Sequence, residues 1–328
     1  MNAFDFAAPT SVEDAVKLLD GQNTAALAGG TDLLGRIKDQ LTAPQRVVYL
    51  KDIKTSSGIS GDAGSGLTIG AGTLLAAIVE HKAIREAYPA LWQSTTEVGT
   101  PQIRNMATLG GNLLQRPRCW YFRAGNGLLA MKDGKSLVRG GDNRYHAIFM
   151  TDGDALYVNP SSLAVPLIAL GATATIKGPK GERTVPVEDL YQVPRTNKDS
   201  ELCVASGELL TKVVIPPARG KNASYEVRQK QAHDWPLVLA SVNLTMDGDK
   251  VSASRIVIYG VAPVPWRSNA AEKSITGKPV TMETAAVAGE DATEGAMPLS
   301  MNAYKVSLTK TAVKRALLAA VGNRYWEV

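Results

Sequence analysis
Apolar positions divide the chain into short helices and strands. Ser11-Val12-Glu13-Asp14 makes a capping-box-like start, and Ala15, Val16, Leu18 and Leu19 then share one helical face, which predicts a helix stopping at Gly21. Ala25-Ala26-Leu27-Ala28 has strand character, and Leu33, Leu34, Ile37 and Leu41 repeat at helical spacing after it. With Arg46-Val47-Val48-Tyr49-Leu50 as a further strand, residues 1–55 read as one small lobe of helix and sheet.

The turn-rich stretch from Ser56 to Gly66 opens a second unit, 56–218. In it Leu67-Thr68-Ile69 reads as a strand, 83–98 as a helix carrying Leu91 and Trp92, 163–170 as a helix and 172–177 as a strand. Periodicity fades over 116–149, where glycines alternate with Arg118, Arg123, Lys132, Lys135, Arg139 and Arg144, predicting a long basic surface loop, functional or mobile. The third unit, 219–328, has strand-like 237–246 and 251–261 flanking the hairpin signal Asp247-Gly248-Asp249-Lys250. Helices over 281–289 and 306–321 complete it.

Two glycine turns interrupt these patterns: Ala28-Gly29-Gly30-Thr31-Asp32-Leu33-Leu34 and Thr108-Leu109-Gly110-Gly111-Asn112-Leu113-Leu114. Glycine keeps no side chain between backbone and phosphate and tolerates positive φ, so each turn is expected to aim several N–H groups at one anion. The first also stands between a strand and a helix start, the arrangement of an anion site. Ordinary tight turns are the plainer reading. A pair of such turns, flanked by Thr and Asn, favours one elongated, phosphate-bearing cofactor. Gly70-Ala71-Gly72-Thr73-Leu74-Leu75 imitates a dinucleotide fingerprint, but Leu75 occupies the third glycine position and no acidic residue ends a matching second strand. It reads as a strand-to-helix turn.

Composition narrows the chemistry. The 328 residues exceed the usual size of one domain, and 45% hydrophobic with 20% charged residues is normal for globular proteins. The net charge of +5 is spread along the chain, which gives little support to nucleic-acid binding. No apolar run approaches the roughly eighteen residues that span a bilayer, and the first residues lack a basic segment followed by an apolar one. No signal peptide is expected, so the location is cytoplasmic, or periplasmic if a signal-bearing partner carries the chain. Cys119 and Cys203 supply neither a disulfide framework nor a four-cysteine metal site. His81, His146 and His233 stand at no metal-ligand spacing, and nucleophile elbows, Walker loops and kinase signatures are absent. No catalytic residue and no metal site is expected. Redox chemistry would therefore be borrowed, and a flavin suits: FAD needs backbone donors at its pyrophosphate and an apolar slot for its ring.

Read together, Ala28–Leu34, Gln102-Ile103-Arg104-Asn105, Ala107–Arg116 and Asp234-Trp235-Pro236-Leu237-Val238 resemble the FAD-binding medium subunits of the molybdenum hydroxylases, the xanthine dehydrogenase family, nearly end to end. The resemblance implies an α+β architecture: a vanillyl-alcohol-oxidase-type (PCMH-like) FAD-binding fold of two lobes plus a small α+β C-terminal domain. It implies that Ala28, Gly29, Gly30, Thr31, Asp32 and Leu33 hold the pyrophosphate and that Thr108, Gly111 and Asn112 complete the cradle. Gln102, Arg104 and Ser162 are expected to line the same pocket, with Arg228 or Lys230 approaching the ring. It also implies a heterotrimer: a molybdopterin-binding large subunit, a small subunit with [2Fe-2S] clusters, and this chain passing their electrons through FAD to a small-molecule or protein acceptor.

Two departures stand out. The run Arg116-Pro117-Arg118-Cys119-Trp120-Tyr121-Phe122 resembles the start of the segment that holds an extra [4Fe-4S] cluster in the aldehyde oxidoreductase branch, yet only Cys119 is present. No iron-sulfur cluster is expected in this chain, with 123–145 a remodelled remnant. Ser162 stands where the family often has a cofactor-bonding aspartate. The rival readings are a flavin-free structural subunit and a stand-alone flavin oxidase.

Overall fold
In the computed structural model, which describes residues 2–19 and 23–327, Ser11 caps the first helix, Val12–Leu18. Its Oγ accepts the Asp14 N–H at 3.1 Å and donates to the Asp14 carboxylate at 2.7 Å, while Ala15 and Val16 are buried. The predicted stop at Gly21 lies outside the described residues. Strands Asp5–Ala7, Arg46–Tyr49 and Thr24–Leu27 form a parallel sheet in that order, as expected where helices make the crossovers.

The second lobe is an antiparallel sheet in the order Ile59–Asp62, Gly66–Gly70, Leu209–Ile215, Thr173–Gly178, Gly181–Pro186. Helices Leu75–Glu80, Lys82–Ala87, Pro89–Thr96 and Ala164–Ala169 contribute Leu75, Ile78, Ile84, Leu91 and Leu167 to the core that also buries Leu67, Ile69 and Val213. The single helix expected over 83–98 is two. Tyr88 leaves the helical region (φ −125°, ψ 54°) because Pro89, which begins the next helix, excludes αR from the residue before it.

The segment 116–149 corrects its reading as a basic surface loop. It contains the turn of helix Trp120–Arg123, the hairpin Met131–Lys132 and Lys135–Ser136, and helix Leu137–Gly140. Leu128, Leu129, Ala130, Val138, Ala147, Ile148 and Phe149 are buried. Its apolar residues come in runs too short to show a period, and their partners are distant in sequence: Phe149, for example, stacks on Trp266 at 4.5 Å.

The third unit pairs Lys221–Val227, Val238–Asp247, Lys250–Tyr259 and Trp266–Arg267 antiparallel, with Gly248 (φ 61°) in the hairpin turn. Helices Asn269–Ile275, Met282–Asp291 and Tyr304–Ala320 pack on this sheet. The first of these escapes the sequence pattern because it buries only Ala271 and Ile275. Asn222 joins the third unit to the second lobe, accepting the Ala90 N–H at 2.9 Å and donating to the Ala87 carbonyl at 3.1 Å. This contact sets Lys221–Val227 against the start of the helix Pro89–Thr96.

Candidate functional site
The first glycine turn carries a set of unused donors. Among the described residues, the backbone N–H groups of Gly29, Gly30, Thr31, Asp32 and Leu33 find no protein acceptor, and Gly30 adopts φ 74°. Buried or half-buried N–H groups are normally paired, and all of these but the exposed Thr31 are of that kind, so the run suits an external anion. Gly29 is glycine for a second reason. A Cβ there would lie 2.1 Å from the Met106 carbonyl oxygen, so the two glycine segments touch at that point.

The second turn is built differently from its expectation. Leu109 N–H donates to Thr73, Gly110 N–H to Ala71, Asn112 N–H to the Thr108 carbonyl, and Gly111 N–H to Thr108 Oγ1 at 3.1 Å. Its amides are spent on the fold, and it supplies a wall and side chains. Asn112 is buried, with Oδ1 accepting Ser161 Oγ–H at 2.9 Å and the Leu163 N–H at 3.4 Å, which leaves Nδ2 as its free donor. The decoy turn behaves likewise: the N–H groups of Gly70, Ala71 and Gly72 donate to Gly58, Thr211 and Ser56. A Cβ on Gly70 would stand 2.4 Å from the Ser56 oxygen, so close chain approach explains that glycine.

The turns face a two-part cleft. One part, about 160 Å³, is lined by Ala28 to Leu33, Arg36, Thr108 and Gly111. The other, about 260 Å³, is lined by Asn112, Ser162, Glu97, Glu226 and 233–236 among others. Thr31, Asp32, Ala107, Gly111 and Gln115 line both parts, so the two adjoin as one cleft. Ser162 stands in the second part. Gln102 is exposed and lines neither, and the Arg104 guanidinium donates to the Val98 and Gly99 carbonyls at 3.1 and 3.4 Å, bracing the turn before the second loop. The resemblance implied both as pocket residues; they lie on the short helix Pro101–Arg104.

Charge at the junction centres on Asp32. Arg123 donates to its Oδ1 at 2.7 Å, Arg118 lies 3.5 Å from the same oxygen, and Arg36 Nε and the Arg116 N–H reach Oδ2 at 3.2 Å. Burial by itself would raise the Asp32 carboxyl, but the Arg123 hydrogen bond and the charges of Arg36, Arg123 and Arg118 outweigh it and hold it below the usual carboxylate range. Three guanidiniums against one carboxylate leave a cationic surplus beside five open amides, which suits a pyrophosphate. Arg118 and Arg123 were hidden inside the apparent surface loop.

In the second part, burial pushes Glu226 up to about 8, with the Arg228 charge opposing and Glu97 adding to the rise. Arg228 Nε lies 2.9 Å from Glu226 Oε1 without alignment for a hydrogen bond, and that oxygen is buried with no donor among the described residues. Arg228 is thus committed to Glu226 and Glu97, and the Lys230 backbone N–H to Asp234. A carboxyl kept neutral by burial and an amide line the head of the cleft, and Arg36 lines its tail.

The two-lobed cleft with open amides at one end defines an FAD-binding flavoprotein fold of the α+β class. Residues 2–218 match the FAD binding domain in molybdopterin dehydrogenase, and 223–320 the CO dehydrogenase flavoprotein C-terminal domain; the chain belongs to the FAD-binding medium subunits of the molybdenum hydroxylase family. It is 28% identical to the aldehyde oxidoreductase FAD-binding subunit PaoB of Escherichia coli K12, over 98% of this chain and 99% of that one. It is 28% identical to the carbon monoxide dehydrogenase medium chain of Hydrogenophaga pseudoflava, over 97% and 96%. Among solved structures, quinoline 2-oxidoreductase from Pseudomonas putida 86 superposes with a TM-score of 0.77 at 25% identity, covering 98% of each chain. Homologues of this kind are oxidoreductase subunits of multi-subunit complexes.

Proposed function
We propose that this chain carries FAD as the electron-transfer subunit of a molybdenum hydroxylase complex, taking electrons from [2Fe-2S] clusters of a small partner subunit and passing them to an external acceptor. The observation that carries the reading is the row of five unpaired amides from Gly29 to Leu33 beside the arginine cluster on Asp32. FAD supplies the redox chemistry, exchanging electrons singly or in pairs.

The chain's own residues bind and orient it. The amides of 29–33 take the pyrophosphate, with Arg36 adding charge, while Thr108 and Gly111 form the facing wall. Asn112 Nδ2 and Ser162 Oγ offer hydrogen bonds to the head, and 233–236 close over it from the third unit. Glu226 holds a proton near neutral pH in the same space. The organic substrate is transformed by the molybdopterin subunit, not here.

The chain holds no iron-sulfur cluster on this reading. Cys119 is its single thiol in the 116–149 segment, and no group of three or more metal-ligating side chains occurs among the described residues. The test is the isolated protein's absorbance: bands near roughly 370 and 450 nm with about one FAD released per chain are expected of a bound oxidised flavin. Protein without those bands would mark the chain as a flavin-free structural subunit, and iron with acid-labile sulfide would overturn the cluster prediction.

A further inference from the structure
A separate cavity, of about 430 Å³, is lined from the helix Pro89–Thr96, the strand Lys221–Val227 and the end of the helix Tyr304–Ala320. Arg324 and Glu327 on its lining are exposed, so it opens to solvent. Two residues line both this outer cavity and the head of the cleft, and both carry carboxyl groups: Glu97 and Glu226. Nothing in the flavin reading uses the outer space.

The two carboxyls differ in setting. Glu97 is 41% exposed and held by Arg228, whereas Glu226 is 11% exposed and keeps an Oε1 with no hydrogen-bond donor among the described residues. Ser94, 2% exposed on the lining of the same cavity, leaves its Oγ unpaired as well. Buried polar atoms that find no protein partner are normally satisfied by water, so two of them beside one solvent-open cavity describe a hydrated space. The groups that face Glu226 are Arg228 beyond its own strand, Glu97 at the end of the helix Pro89–Thr96, and Tyr259 on the strand Lys250–Tyr259. Leu239, its cross-strand neighbour, brings no charge. Arg324 and Glu327 complete the charges of the outer cavity, and Arg118, His233, Asp234 and Asp32 those of the cleft head. Burial dominates in this setting and keeps the Glu226 carboxyl protonated up to about 8. Glu226 is therefore a proton-bearing group with one border on a wet cavity and the other on the cleft.

We propose that Glu226 is a proton gate, passing protons between water in the outer cavity and the head of the cleft whenever the flavin changes oxidation state. The proposal rests on the FAD reading above. Reduction of the flavin by two electrons, delivered singly by iron-sulfur clusters, takes up at least one proton. Glu226 gives its carboxyl proton to the head of the cleft and regains one from the water of the outer cavity, so the carboxyl ends as it began. Reoxidation sends the proton out by the same path.

The test mixes the flavin-bearing chain with reduced methyl viologen, a one-electron donor that carries no proton, and follows flavin absorbance and a pH indicator together in weakly buffered solution. In the wild type, proton uptake is expected to keep pace with flavin bleaching and to slow as pH rises through about 8, where Glu226 loses its proton. Glu226→Gln should delay uptake by roughly tenfold or more and remove that pH dependence, and Glu226→Asp should restore part of the rate. Ala319→Phe, which fills the outer cavity from a position that does not line the cleft, should delay uptake likewise with flavin content unchanged. It carries the test if Glu226→Gln fails to fold. Infrared difference spectra across the same pH range should show a carboxylic-acid carbonyl band that Glu226→Gln lacks. Uptake that keeps pace in either variant, or a band that survives Glu226→Gln, would overturn the gate while the flavin stays bound. A chain that retains no flavin overturns the cofactor reading, and the gate with it.

Discussion

Arg123 Nη2 donates to Asp32 Oδ1 at 2.7 Å, tying the first glycine turn to the segment beyond the second turn across 91 positions of sequence. Both side chains are mostly buried, at 17% and 13% exposure. Asp32→Asn removes the counter-charge from Arg36, Arg118 and Arg123 at once, and a cost on the order of 2 kcal/mol is expected for leaving partly buried cations unpaired. Thermal unfolding should show the Tm falling by several degrees, and the loss should shrink when Arg123→Met is added, since the two residues share one interaction. An additive double variant would contradict the coupling.

Gly29 and Gly35 make a matched pair for the cradle. Gly29→Ala puts a Cβ 2.1 Å from the Met106 oxygen and pries the two turns apart, so FAD retention through gel filtration should drop sharply. Gly35→Ala meets nothing within 4 Å on the helix Leu33–Lys38 and should stabilise by about 0.5–1 kcal/mol without touching flavin content. Equal flavin loss in both variants would argue against the cradle.

Glu226 gives a pH dependence of definite sign. Its folded carboxyl titrates at about 8, above the ordinary 4.5, so the folded state binds the extra proton between those values and stability falls as pH rises through that window. Urea unfolding of the wild type should lose stability from pH 5 to pH 8, roughly, and Glu226→Gln should flatten this component. A variant with the same pH slope would place the proton elsewhere.

His146 works in the opposite direction. Burial, then the Lys305 charge, pushes it down to about 4 from 6.5, so the unfolded chain takes the proton first and stability falls as pH drops from 6.5 toward 4. The shift corresponds to about 3 kcal/mol, complete below the folded value. His146→Gln should remove most of that acid sensitivity in unfolding curves measured between these pH values.

Local pattern made much of the architecture legible. Ser11 and the Asp247–Lys250 turn announce their elements because capping and tight-turn chemistry act within three or four residues. The first glycine turn was legible as a turn between strand and helix for the same reason. What the pattern could not separate was three glycine turns of similar appearance, since whether an amide is free depends on which strand passes beside it. At Gly70 and Gly110 the partners are Gly58 and Ala71, and only at Gly29–Leu33 are the donors left open.

The sequence by itself determined the family and the α+β class, because these rest on residue identity and short spacing. The tertiary structure alone decided that Arg118 and Arg123 turn inward to Asp32, that Gln102 lies outside the cleft lining while Arg104 braces Val98 and Gly99, and that Glu226, Trp235 and Cys119 border ligand-sized spaces. Those outcomes depend on contacts between residues far apart in the chain. Burial and charge neighbours there set direction and protonation, and neither is encoded in any local stretch of sequence.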